Sequence, residues 1–169
     1  MSQHRPQPAS DSPPSSLTGS RRRLPPLLRR AWYGLNQAFR RRIAHTGLTP
    51  DQFTALRTLI ESDANGLTQR ELTTLMSSDP NTVASLLERM EQSGWVERRP
   101  HESDRRAYRI RVLELGIDRF ETCRSIAAEL QSEVLAVLPP DEREEFLRKL
   151  DLVANACRTA ATPQSRPSP

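Results

Sequence analysis

Long apolar runs are missing from this 169-residue chain, and none approaches the length of a membrane span. Arginines near the start precede no apolar segment, so no secretory leader is read there. The default location is then the cytoplasm. Cysteine is scarce. Cys123 and Cys157 show no Cys-x-x-Cys or Cys/His spacing, which argues against a zinc site. The three histidines, His4, His45 and His101, have no nucleophile or metal-ligand companion at useful spacing. No glycine-rich loop that could cradle a phosphate exists. An enzyme is therefore not expected, nor a cofactor or bound metal. Lysine is nearly absent too: Lys149 is the single one among 25 Lys and Arg. Aromatics make up 5% and all hydrophobics 36% of the chain, low for a globular protein.

Much of that apolar deficit sits at the two ends. Met1 to Ser20 are mostly Pro, Ser, Gln and charge, with Leu17 the one sizeable apolar residue, and Thr162 to Pro169 read alike. Such segments bury too little apolar surface to offset the entropy of ordering them. Residues 1–22 and 159–169 are thus expected to be disordered tails. The rest is long enough for one domain with a real core.

What the chain has is arginine, in clusters. Arg21, Arg22, Arg23, Arg29 and Arg30 come first, then Arg40, Arg41 and Arg42, then Arg98, Arg99, Arg105, Arg106, Arg109 and Arg111. The formal charge is +4 and the pI about 9.8, compatible with a nucleic-acid partner.

From Leu24 the apolar residues recur at Leu28, Ala31/Trp32, Leu35, Phe39 and Ile43, a helical spacing that Gly47 ends. Thr49 is a good N-cap for a second helix, with Pro50 at its first position and Phe53, Leu56, Leu59 and Ile60 on one face. Asn65-Gly66 stops it. Thr68-Gln69-Arg70-Glu71 has the form of a capping box, in which hydroxyl and carboxylate satisfy each other's free amides. Leu72, Leu75 and Met76 then give a short helix its buried face, and Ser77-Ser78 breaks it. Asp79 caps the next helix, with Pro80 at its first position, Val83, Leu86, Leu87 and Met90 inward and Gly94 as a left-handed terminator. Two helices joined by a tight polar turn make a helix-turn-helix.

Two strands are predicted next, Trp95 to Arg99 and Tyr108 to Leu113, the second alternating Tyr108, Ile110 and Val112 with Arg109 and Arg111. The charged segment between them reads as the tip of a hairpin wing. Phe120, Cys123, Ala127, Leu130, Val134 and Val137/Leu138 then step by three and four, the seam of helix-helix packing. Pro139-Pro140 ends that helix, and a last one carries Phe146, Leu147, Leu150, Val153 and Ala154. The fold class expected is mainly α with a small β-hairpin wing. The organisation expected is a helix over 23–47, a winged helix-turn-helix over 48–114 and further helices over 115–158.

Leu48-Thr49-Pro50-Asp51-Gln52-Phe53, Gly66 to Leu72, Ser85 to Glu91 and Gly94 to Arg98, with Asp104-Arg105-Arg106 between the strands, resemble the MarR family of winged helix-turn-helix transcriptional regulators. The resemblance runs from about Leu24 to Cys157. The Asp104-Arg105-Arg106 run matches the family's Asp-x-Arg wing signature. One departure follows it. Where the family has Leu-Thr-x-x-Gly, this chain reads Leu113-Glu114-Leu115-Gly116, which is expected to shift the start of the long helix.

The resemblance implies a homodimer with interlocked N- and C-terminal helices, bound to double-stranded DNA at a near-palindromic site. Repression is the expected output, since it needs only promoter occupancy. A recognition helix enters the major groove with its first residues foremost. Pro80, Asn81, Thr82, Ser85 and Arg89 are therefore candidate DNA contacts. Thr68 and Gln69 are candidates near a phosphate, and Arg105 and Arg106 for the backbone and minor groove. Asp104 is expected to brace the wing arginine. Arg98 is expected on the solvent face of its strand, within reach of a phosphate. Leu28, Leu35, Phe120, Leu130, Val134, Phe146 and Leu150 are the candidate dimer contacts. Relatives often take small aromatic or phenolic effectors. Trp32, Tyr33, Asn36 and His45 could line such a pocket, or Trp32 could be core and the polar pair surface. Two alternatives stand beside this reading: a redox-sensing regulator using Cys123 or Cys157, and a winged-helix protein-interaction module.

Overall fold

The computed structural model describes residues 23–62, 65–101, 103 and 107–161. The expected tails at 1–22 and 162–169, and the wing-tip residues Asp104, Arg105 and Arg106, lie outside the described residues.

Helix α1 spans Leu24–Ile43 and opens on a proline-bearing first turn, where a missing amide costs little. A 3-10 turn, Ala44–Thr46, follows it. Helix α2, Pro50–Ile60, is capped by Thr49 and, beyond what its sequence suggested, closes a full capping box with Gln52. The Gln52 Oε1 accepts from the Thr49 amide at 2.9 Å, which gives this buried polar side chain its partner. Helices α3, Gln69–Leu75, and α4, Pro80–Gln92, form the helix-turn-helix. Strands β2, Val96–Pro100, and β3, Tyr108–Val112, make the hairpin, and helices α5, Glu114–Leu135, and α6, Arg143–Ala161, complete the order. Helix α6 carries residues 159–161, expected in the tail. Alanine favours helix there, and the Thr159 hydroxyl donates back to the Asn155 carbonyl at 3.1 Å.

A third strand was not foreseen. Strand β1, Leu67–Thr68, pairs antiparallel with β3, Leu67 opposite Ile110 and Thr68 opposite Arg109. The sheet order is β1-β3-β2. Two residues are too few to show an alternating pattern, so only the pairing reveals the strand. Gly66 makes the pairing possible. Its φ is +86°, and a Cβ there would stand 2.3 Å from the Ile110 carbonyl oxygen.

The core joins the late part of α1 to α2, α4, the sheet and α5. Ile43, Leu56, Leu72, Val83, Leu87, Met90, Val96, Ile110 and Cys123 are sealed from solvent. Phe53 links the helices, edge-on to Phe39 at 4.9 Å and stacked on Phe120 at 5.2 Å. The inward residues expected on α4 are the buried ones.

The first turns of α1, the end of α5 and all of α6 are different. No residue of α6 is buried, although Phe146, Leu150 and Leu152 face outward from it. Leu24, Trp32, Tyr33 and Leu35 on α1 and Val134 at the end of α5 are exposed as well. Burying one such side chain stabilises by about 1.5–3 kcal/mol, so these helices leave a large apolar surface unpaired within one protomer. Two candidate dimer contacts are corrected here. Phe120 and Leu130 are 5% and 3% exposed, filled by their own protomer's core. Leu28 is half-buried, and Leu35, Val134, Phe146 and Leu150 remain available.

Candidate nucleic-acid interface

The turn between α3 and α4 sets the interface. Helix α3 ends at Leu75 with Met76 as its C-cap, and Ser77 then adopts φ +50°, the left-handed conformation usually left to glycine. The Ser77 and Ser78 amides return to the carbonyls of Thr74 and Thr73 at 3.1 and 3.2 Å. Gly94 plays the same part after α4, at φ +70°, with Trp95 N bonding back to the Met90 carbonyl at 2.9 Å. These turns aim the first turn of α4 outward.

Pro80, Asn81, Thr82 and Ser85 are exposed there, while Val83 and Leu86 point inward. Asp79 holds the helix start. Its Oδ1 accepts the amides of Asn81 at 3.0 Å and Thr82 at 2.9 Å, and its Oδ2 accepts the Thr82 hydroxyl. Those bonds, the Thr82 hydroxyl first and its amide second, hold the Asp79 carboxyl below its usual range. The Asn81 carboxamide has no hydrogen bond among the described residues. Arg89 is exposed, and its Nε donates to the Ser85 carbonyl one turn back at 3.1 Å.

Thr68 is similarly committed. Its hydroxyl accepts from the Glu71 amide at 3.2 Å and donates to the Glu71 carboxylate at 2.8 Å, and Glu71 also accepts the Thr68 amide at 2.7 Å. The predicted capping box is complete. The bond from the Thr68 backbone, then that from its hydroxyl, lowers the Glu71 pKa.

Between α3, the start of α4 and the hairpin lies an open cleft of about 980 Å³. Gln69, Arg70, Thr73, Pro80, Arg98 and Tyr108 are among its walls. Arg98 differs from its expected solvent-facing place. It lies two residues on from buried Val96, hence on the same face of β2, and its Nη1 pairs with Glu91 of α4 at 3.1 Å. Arg99, on the opposite face, pairs with Glu97 at 2.6 Å. Arg70 was not picked out from sequence, being read only as part of the capping box. It is exposed at the cleft and has no ion pair among the described residues.

Trp32, Tyr33, Asn36 and His45 line neither this cleft nor the second cavity. Trp32 and Tyr33 are 61% and 67% exposed, so Trp32 is not core within one protomer. The second cavity, about 540 Å³, lies among α2, α5 and the start of α6. Phe53, Phe120 and Leu147 give it apolar walls, and Arg57, Arg124 and Arg143 stand around it. Arg57 and Arg124 are each ion-paired on their own helix. Cys123 is buried against the Thr46 hydroxyl at 3.4 Å, and Cys157 is exposed. Among the described residues there is no cluster of potential metal ligands, and no helix is long and apolar enough to cross a membrane.

Comparison with known proteins shows what the chain is similar to. The family model described as MarR family matches residues 48–108, from the residue before the α2 cap through the wing. This segment is thus similar to the MarR family. HTH-type transcriptional regulator BilQ of Clostridium symbiosum is 32% identical over 85 residues, covering 50% of this chain and 59% of that protein. Transcriptional repressor MprA of Escherichia coli K12 is 26% identical over 110 residues, 62% of this chain and 61% of that one. The chain thus spans about three fifths of the length of the curated relatives it matches. In fold the likeness reaches further. The transcriptional repressor CouR, solved on a 23-mer DNA duplex, superposes with a TM-score of 0.73 at 24% identity, over 82% of this chain and 97% of that one. The winged MarR fold expected from the sequence is therefore the fold observed, with one strand more.

Helix α5 starts two residues after the end of β3. The helix begins at Glu114 with Leu113 in the N-cap position and Gly116 in its first turn. Helix α5 has no side-chain cap.

Proposed function

We propose that this chain is a sequence-specific, double-stranded DNA-binding transcriptional regulator of the MarR type, acting as a homodimer and repressing by occupying a near-palindromic operator. One observation carries the reading: the first two turns of α4 present Asn81, Thr82 and Ser85 to solvent while the opposite face is buried. A helix so presented fits the major groove. Relatives named as a transcriptional regulator and a repressor, and a fold neighbour solved on duplex DNA, support it.

In this reading Asn81, Thr82 and Ser85 face base edges, with Pro80 packing alongside and Arg89 flanking them. Gln69 and Arg70 face the sugar-phosphate backbone from α3. Thr68 serves mainly as the cap, because its hydroxyl proton is held by Glu71. Arg105 and Arg106 reach the minor groove, braced by Asp104, and Arg98 contributes through its pairing with Glu91. The partner's helices cover the apolar surface of α1, α5 and α6, which spaces two recognition helices about one DNA turn apart. The cavity between α2, α5 and α6, with aromatic walls and arginines around it, suits a small aromatic anion as effector. Effector binding shifts the population between DNA-competent and incompetent spacings. A non-enzymatic role and a cytoplasmic location are part of this reading.

The test is fluorescence anisotropy with labelled DNA from upstream of the chain's own gene, and with selected genomic fragments, against scrambled duplex at equal salt. A preference of about a hundredfold or more is expected, with affinity falling steeply as salt rises. Replacing Arg105 and Arg106 together by Ala should abolish it. Equal, weak binding to every duplex would turn the reading towards a protein-interaction module.

A further inference from the structure

We infer that Asp79 makes Thr82 a hydrogen-bond acceptor only, so that Thr82 selects adenine or cytosine over guanine or thymine at the base it faces. The inference rests on α4 lying in the major groove and adds which bases one of its residues can accept.

The direction of the Thr82–Asp79 bond is unambiguous. An ionised carboxylate has no proton to give, and Asp79 stays ionised because three donors converge on it. The hydroxyl of Thr82 must therefore be the donor. A threonine hydroxyl has one proton and two lone pairs, and here the proton is spent within the first turn of the helix. What the exposed Thr82 offers outward is lone pairs.

The major-groove edges divide on this point. Adenine presents an amino donor at N6 and cytosine one at N4, whereas guanine O6 and N7 and thymine O4 are acceptors. Thr82 has a partner on the first two and faces two acceptors on the others. Phosphate oxygens are also acceptors, so the same commitment takes Thr82 away from the backbone. Its neighbour Asn81 is under no such limit, because its carboxamide keeps both donor and acceptor capacity.

The experiment is selection of bound duplexes from a randomised library by the full-length protein and three variants, followed by sequencing. For the wild type, one position in each half-site should be enriched for A or C. Thr82→Val keeps the shape and the methyl group but removes the hydroxyl. It should flatten that position, a loss of roughly tenfold in discrimination, and leave the others unchanged. Thr82→Ser should keep the preference. Asp79→Asn preserves a good cap but offers an amide N–H to the Thr82 oxygen and frees the hydroxyl proton. Guanine or thymine should then be accepted at that same position. Melting curves for all variants separate this from loss of folding. If Thr82→Val alters no position, or the position it alters is G or T in the wild type, the inference is wrong while the regulator reading stands. If the wild type enriches no sequence at all, the regulator reading itself falls and this inference with it.

Discussion

Replacing Gly116 by Ala should destabilise the protein, although the same change in a helix ordinarily stabilises. Gly116 lies in the first turn of α5, where the helix start passes the Trp95 carbonyl between α4 and β2. A Cβ at this position would stand 2.3 Å from the Trp95 carbonyl oxygen and 2.8 Å from Val112 Cγ1. Carbon–oxygen contacts settle near 3.3–3.6 Å, so α5 has to move by about 1 Å. The obstacle is backbone and cannot swing aside. That same carbonyl accepts the Leu113 amide at 2.9 Å, a bond worth about 1 kcal/mol that the shift would weaken. Overpacking costs about 1–3 kcal/mol, and the better helix propensity of Ala returns at most about 1 kcal/mol. The net loss is about 2 kcal/mol, or about 4–8 °C in Tm for a chain of this size. Circular-dichroism melts of wild type and variant at one protein concentration measure it. Gly34 in α1 is the contrast: nothing lies within 4 Å of its Cβ position. Gly34→Ala should raise Tm, and a fall would mean that a partner subunit's backbone approaches α1 there. A Gly116→Ala protein as stable as the wild type, or more so, would refute the close-approach argument.

Leu113→Thr should restore the side-chain cap that α5 lacks and stabilise by about 1 kcal/mol in urea unfolding; a loss would mean that the packing of half-buried Leu113 outweighs a cap. Ser77→Gly should relieve the left-handed turn at φ +50° and stabilise by about 0.5–1 kcal/mol, read from the same unfolding curves; an unchanged midpoint would argue that Ser77 is not strained. Acid should weaken the helix-turn-helix. The folded pKa values of Glu71 and Asp79 lie below their ordinary 4.5 and 3.8, so their contribution is fully present above those values and lost as pH falls below them. Stability measured between pH 6 and 2 should fall less steeply in Glu71→Gln than in the wild type, and identical slopes would contradict the assigned role of the capping box.

Local chemistry was readable from the chain because it acts over a few residues. A Thr or Asp cap followed by Pro or Glu favours a helix start through local bonds alone, so Thr49, Thr68 and Asp79 marked the starts of α2, α3 and α4. The spacing of Val83, Leu86, Leu87 and Met90 named the inward face of α4, and the runs around the wing pointed to the family. Contacts between segments distant in sequence were not readable. Strand β1 exists because Gly66 lets Leu67 reach Ile110, and nothing in two residues announces a partner some forty positions away. Arg98 looked solvent-facing until β2 lay against α4 and brought it to Glu91. Phe120 and Leu130 share a helical seam with Val134, yet the first two are covered by the protomer itself and the third is not. Periodicity tells which face of a helix is apolar; only the packing of the other elements decides how far along the helix that face is already filled. The bond from Thr82 to Asp79 lies between the two cases. Its residues are three apart, so the pairing was within local reach, but the direction in which the proton is given emerged only once the cap geometry had placed the carboxylate against both the amides and the hydroxyl.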